Sequence, residues 1–184
     1  LINDLLDIDK LNASKMTFDL QPGAVLPLLQ EALRSNQTYA EQHQVSYQQL
    51  EGEPELADAQ AYVDPLRLHQ VLANFLSNAC KFSPAGATVE LSLERRAESL
   101  RVSVRDYGDG IPLDFQARIF QKFSQADASS TRQKGGTGLG LAISKELIER
   151  MHGQIGFDSS AGQGACFWFE LPGVLPTGAP CSSA

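Results

Sequence analysis

The sequence predicts an α+β fold, a two-layer sandwich of helices against a sheet, and three observations carry that expectation. Helix-period segments at 24–42 and 65–82 precede two alternating segments, 88–95 and 100–105, joined only by Arg96 to Ser99 in the manner of a hairpin. Helices and strands do not alternate strictly, as a doubly wound parallel sheet would require. No Gly-x-x-x-x-Gly-Lys-Ser/Thr run is present, and Gly136-x-Gly138-x-Gly140 lacks the third-glycine spacing of a dinucleotide fingerprint.

Taken in order, residues 1–14 place Leu1, Leu5 and Ile8 on a near-heptad stripe flanked by Ile2, Leu6 and Leu11. So short a helix is marginal alone in water. It is expected to be the end of a longer helix, and the chain, which opens on Leu1, a piece of a longer protein. Residues 24–42 set Val25, Leu28, Leu29, Ala32 and Leu33 on one helix face. Residues 45–50 alternate as a strand, 52–59 form a polar, acidic loop, and 61–63 form a short strand.

Asp64-Pro65 marks a helix start, an Asp N-cap before a Pro at the first helical position. That helix is expected to end at Phe82, before Pro84. A further helix is expected over 113–123. Residues 124–136 are polar and without periodicity, and are expected to form a mobile loop. A helix over 139–151 should be terminated by Gly153, and strands at 154–157 and 165–171 complete the sheet. The expected organisation is a truncated helix at 1–15, one domain at 20–173 and a Pro/Gly-containing linker tail at 174–184.

A chain of 184 residues with 42% apolar content can bury one core. The net charge of −7 argues against a nucleic-acid surface, which needs a basic patch. Cys80, Cys166 and Cys181 lack metal-ligand spacing and read as reduced thiols of a cytoplasmic protein, two of them in the core. There is no signal peptide and no apolar run of about 18 residues. Cytoplasmic placement without membrane contact is expected, whether or not a parent chain is anchored in an inner membrane elsewhere.

Four elements describe a nucleotide pocket. On the 65–82 helix, Asn74, Asn78 and Lys81 form a polar stripe beside the apolar face of Val71, Leu72, Phe75, Leu76 and Ala79. Asn is a poor mid-helix residue because its side chain competes for backbone hydrogen bonds, so two of them a turn apart call for another job. A side-chain amide oxygen is a hard neutral ligand suited to Mg²⁺, and Lys81 places a positive charge near phosphates.

Asp106 ends a strand and enters a turn through Gly108, Gly110 and Ile111. Alone, this reads as an Asx-turn. In company it reads as a carboxylate accepting from an adenine amino group, which selects ATP over GTP because guanine's carbonyl would be repelled. Gly136, Thr137, Gly138, Leu139 and Gly140 precede a helix whose N-terminal N–H groups suit a phosphate chain. Gly162 and Gly164 read as a turn between strands with no direct chemistry.

These boxes, in this order, resemble the N, G1, F, G2 and G3 boxes of bacterial sensor histidine kinases, with Ile119-Phe120-Gln121-Lys122-Phe123-Ser124-Gln125 as the F box. The resemblance spans about 64–172 and implies a Bergerat-type sandwich, a mixed sheet packed on three helices. It implies ATP and Mg²⁺ as ligands. Asn78 would hold the metal, Asn74 would line the phosphate site and Lys81 would approach the phosphates. Phe82 would pack near the adenine and Asp106 would accept from it, on a floor shaped by Gly108 and Gly110. Gly136, Gly138 and Gly140 would wrap the phosphates in a lid running from about Ser124. Phe120 and Phe123 would anchor that lid by apolar packing, and Arg132 would reach the γ-phosphate.

The stretch around 123–138 is most similar to hybrid kinases, which implies a receiver domain as partner, in the same chain where the parent is of the hybrid type. Related gyrase, mismatch-repair and chaperone ATPases place a Glu where Asn74 stands, and an amide cannot activate water as that base does. The family's acceptor is a His followed by an acidic residue. His43 precedes Gln44, His69 precedes Gln70 and His152 precedes Gly153, so the acceptor is expected upstream of Leu1, on a dimerisation domain. By this reading the fragment is a monomer that binds ATP without completing its own phosphorylation. The rival reading is a non-catalytic, kinase-like module that regulates a partner kinase, which should have lost box residues.

Overall fold

The computed structural model describes residues 2–12, 15–124 and 137–174. In chain order these form α1 (Ile2–Asn12), β1 (Gln21–Ala24), α2 (Val25–Gln42), β2 (Ser46–Gln49), β3 (Gln60–Val63), α3 (Pro65–Phe82), β4 (Thr88–Arg96) and β5 (Ser99–Arg105). They continue through α4 (Leu113–Gln116), α5 (Gly140–Arg150), β6 (Gln154–Ser159) and β7 (Ala165–Pro172). One sheet has five strands in the order β2-β4-β5-β7-β6, and a two-stranded ribbon pairs β1 with β3. The β2–β4 pair is parallel and the other neighbours are antiparallel, so the five-stranded sheet is mixed.

Period-two alternation decides which face is covered. Val89, Leu91 and Leu93 of β4 are buried with Leu100, Val102 and Val104 of β5 and with Phe169 and Leu171 of β7. Against them lie Leu29 of α2, Leu68, Leu72, Phe75 and Leu76 of α3, and Leu147 and Ile148 of α5. The opposite face is polar. There the Arg101 guanidinium stacks 3.9 Å over the Trp168 ring and donates to Glu170 at 2.7 Å. The molecule is therefore the expected two-layer sandwich, with α2, α3 and α5 on one face of a mixed sheet. Among the described residues no helix is long and apolar enough to cross a membrane.

Asp64 does what its sequence position predicts, and more. Its Oδ1 accepts from the N–H groups of Leu66 and Arg67 at 3.0 and 3.2 Å, closing the N-terminus of α3. Its Oδ2 accepts from Asp19 N–H at 3.0 Å, which pins the segment between α1 and β1. α1 lies alongside, with Leu11 buried, Asp7 accepting from Gln70 at 2.7 Å, and the Leu11 carbonyl accepting from Arg150 at 2.7 Å.

The structure departs from the sequence reading in three places. β1 is a strand that no periodicity announced. The helix expected over 113–123 is confined to Leu113–Gln116. Beyond it the chain advances through i→i+3 bonds, Arg118 N–H to Phe115 and Gln121 N–H to Arg118, in place of the i→i+4 bonds of an α-helix, while Ile119 stays buried. Finally, the left-handed residue ending α5 is His152 (φ 61°), not Gly153. His152 N–H donates to Glu149 and Gly153 N–H to Ile148, a Schellman arrangement. Gln44 (φ 55°) ends α2 in the same way.

Candidate functional site

The site is built where three elements meet: the middle and end of α3, the turn after β5, and the start of α5. Burying Val71, Leu72, Phe75, Leu76 and Ala79 turns Asn74, Asn78 and Lys81 toward the edge of the core, where all three are half-buried. The Asn74 amide N–H donates to the buried Ser144 hydroxyl at 3.0 Å, tying α3 to α5. Its Oδ1 packs where a Cβ on Gly140 would stand, so the first residue of α5 has to be glycine for this approach. Among the described residues, no hydrogen bond engages the Asn78 side chain.

Asp106 is 4% exposed at the end of β5. Its Oδ1 accepts from Gly108 N–H at 3.0 Å and Ala165 N–H at 3.2 Å, so the Asx-turn anticipated from sequence is present. Its own N–H donates to the Ala165 carbonyl at 2.9 Å. Gly164 (φ +76°) packs directly against the Asp106 backbone, leaving no room for a Cβ. This glycine, read from sequence as a turn residue without chemistry, holds the carboxylate in place. Beyond Asp106, Gly108 lies against the Phe82 carbonyl and the Phe82 ring is 51% exposed at the rim. Ile111 N–H donates to Ser159 Oγ at 2.8 Å, with Gly110 (φ 77°) before it.

At the other end, Thr137, Gly138 and Leu139 lead into α5. The Thr137 hydroxyl accepts from Leu139 N–H at 3.2 Å and donates to Asp4 of α1 at 3.1 Å, while Leu139 is fully buried. Phe120 packs at a tilt against Phe157 (6.0 Å) and meets Phe167 edge-on (6.5 Å), joining the core aromatics. Phe123 sits at the last described turn before the expected lid. It is 66% exposed with a left-handed backbone, and its backbone packs against Gly138. Arg132 and Gly136, and most of the expected lid, lie outside the described residues.

Of the described residues, the thiols of Cys80 and Cys166 are not reactive candidates. Burial pushes the Cys80 thiol up, and it donates to the Tyr47 hydroxyl at 3.2 Å. Burial likewise raises half-buried Cys166; Cys181 lies outside the described residues. Tyr107 is raised by its 2.8 Å hydrogen bond to Glu90. Among the described residues no cluster of three or more His, Cys, Asp or Glu could hold a metal alone.

Residues 63–174 match the family described as "Histidine kinase-, DNA gyrase B-, and HSP90-like ATPase". The chain is 43% identical over 178 residues to the sensor protein GacS of Pseudomonas syringae pv. syringae, covering 93% of this chain and 19% of that protein. It is 39% identical over 175 residues to the circadian input-output histidine kinase CikA of Synechococcus elongatus, covering 94% of this chain and 23% of that protein. Among solved structures it is similar to full-length ShkA in complex with AMPPNP, with a TM-score of 0.79 and 34% identity over 94% of this chain and 35% of that one. The chain thus spans about a fifth of the length of the curated relatives it matches.

Proposed function

The chain belongs to the histidine kinase-, DNA gyrase B-, and HSP90-like ATPase family, and from that premise we propose that it is the catalytic part of a two-component sensor kinase. By this reading it passes the ATP γ-phosphoryl group to a histidine on an upstream dimerisation domain. Residues 1–15 are then the end of the dimerising helix, 20–173 the catalytic domain and 174–184 a linker. The parent is a homodimer whose phosphoryl group moves on to a receiver domain, in the same chain if the protein is of the hybrid type.

The observation that carries the reading is the buried Asp106 carboxylate, fixed by two backbone N–H groups, in a loop that packs through Gly108 on Phe82 at the end of the helix bearing Asn74, Asn78 and Lys81. A carboxylate so placed accepts from adenine's amino group and repels guanine's carbonyl. Phe82 offers its exposed ring to the base, on the floor of Gly108, Gly110 and Ile111. By this reading Lys81 and the approach to α5 through Thr137, Gly138 and Gly140 take the phosphates; Gly136 and Arg132, outside the described residues, are assigned to the phosphate chain by the family resemblance alone. Mg²⁺ fits this donor set: the Asn78 amide has no hydrogen bond among the described residues, and a magnesium ion is ordinarily held by few protein oxygens together with phosphates. The ion, when bound, neutralises developing phosphate charge.

Asn74 decides between transfer and hydrolysis. Its amide is committed to Ser144 and cannot serve as a general base, so water stays unactivated and the γ-phosphoryl waits for a protein acceptor. The experiment supplies the chain with ATP, Mg²⁺ and, separately, a dimerisation domain carrying the acceptor histidine. Negligible phosphate release alone and phosphohistidine formation only in the mixture are expected. Appreciable hydrolysis by the unaltered chain would sink the transfer reading.

A further inference from the structure

One side chain outside every sequence motif ties the base end of the cleft together. Ser159 closes β6, and its hydroxyl makes two bonds at once: it accepts from Ile111 N–H at 2.8 Å and donates to the Gly164 carbonyl at 3.0 Å. A hydroxyl has one proton to give, and here that proton is committed to Gly164 while a lone pair takes Ile111. Around it the turn between β6 and β7 grips the Asp106–Ile111 loop along its length. Gly162 N–H donates to Asp109 at 2.9 Å, Asp106 N–H donates to Ala165 at 2.9 Å, and Ala165 N–H returns to the Asp106 carboxylate at 3.2 Å. The Asp106 end of the loop is therefore held through its backbone and carboxylate. At the Ile111 end Ser159 takes the N–H, while the Ile111 carbonyl accepts from the Gln116 amide at 2.9 Å, and among the described residues only Ser159 hydrogen-bonds that end to the β6–β7 turn.

We propose that Ser159 is a positioning residue for base selectivity, fixing the Gly110–Ile111 floor relative to the Asp106 carboxylate. This rests on the reading of Asp106 as the adenine acceptor. Discrimination against guanine needs a floor that cannot shift, because a base able to slide would escape the repulsion at Asp106. Without the hydroxyl, Ile111 N–H and the Gly164 carbonyl lose a shared partner, and the floor loses its anchor on the turn.

The test titrates ATP, GTP and inorganic triphosphate into the chain and into Ser159→Ala, Ser159→Cys and Ser159→Thr, with Asp106→Asn in parallel. Ser159→Ala should bind ATP about fivefold more weakly and narrow the ATP-over-GTP ratio. Triphosphate affinity should not change, and Ser159→Thr should restore both ATP affinity and ratio. Ser159→Cys, which keeps the volume and weakens both bonds, gives the same readout should the alanine variant fail to fold. An unchanged ratio in folded protein, or an equal loss for ATP and triphosphate, would overturn the assignment and leave Ser159 a general structural residue. If Asp106→Asn also leaves ATP binding intact, the base-site reading itself fails. If Asp106→Asn weakens ATP while Ser159→Ala does not, only the role of Ser159 is lost.

Discussion

At the base end of the cleft, Asp106 is buried and bonded to two backbone N–H groups, and a left-handed glycine and a serine hydroxyl brace its loop from the facing turn. At the phosphate end, Asn78 and Lys81 are only half-buried, α5 begins on Leu139 without a side-chain cap from that residue, and the Thr137 hydroxyl is shared with α1 through Asp4. On the proposed reading, the more heavily braced end is the one that decides selectivity. Recognition of a neutral base by hydrogen bonds fails if a donor or acceptor moves, because the loss is the full desolvation of a buried polar group. Charge attraction between phosphates, a cation and Lys81 is longer-ranged and tolerates adjustment. On the proposed reading, a braced base site and a less tightly held phosphate site suit those two distance dependences.

The sharpest way to break this contrast is Gly164→Ala. A left-handed φ and the contact with the Asp106 backbone both oppose a Cβ. A stability loss of at least about 2 kcal/mol by denaturant unfolding and more than tenfold weaker ATP binding are expected, roughly. Asp64→Ala belongs to neither end and serves as the control. It should cost about 1–2 kcal/mol of stability through the lost cap of α3, with ATP affinity unchanged in folded protein. Gly140→Ala addresses the phosphate end. The new methyl meets the tip of a movable side chain, so Asn74 should swing from Ser144, and ATP should bind about threefold more weakly while adenosine is unaffected.

Smallest is Asp4→Asn. It removes a negative charge from the hydroxyl that leads into α5, and should raise ATP affinity roughly twofold at low salt, an effect that fades as salt is added. Calorimetry at two ionic strengths checks it. An Asp4→Asn change larger than that of Gly164→Ala would reverse the contrast.

Much of the scaffold was legible because it rests on local chemistry. Asp64-Pro65 announces α3 through cap and fixed φ, and the apolar face of 65–82 then orients Asn74, Asn78 and Lys81 without further information. The β4–β5 hairpin follows from alternation alone. What stayed hidden depends on distant partners. β1, containing Pro22 and Gly23, is a strand only because β3 pairs with it. Ser159 and Gly164 look like ordinary turn residues until the sheet sets β7 beside β5 and brings them against Asp106. Phe123 takes its anchoring role from the family resemblance, and nothing local to its own sequence shows that it is exposed and left-handed.

The most direct test of the central claim is calorimetric titration of ATP and GTP, with and without Mg²⁺, into the chain and into Asp106→Asn. Binding of ATP but not GTP, weakened roughly tenfold or more by the substitution, is the predicted result. Equal affinity for the two nucleotides, or ATP binding indifferent to Asp106→Asn, would contradict a base site organised around that carboxylate.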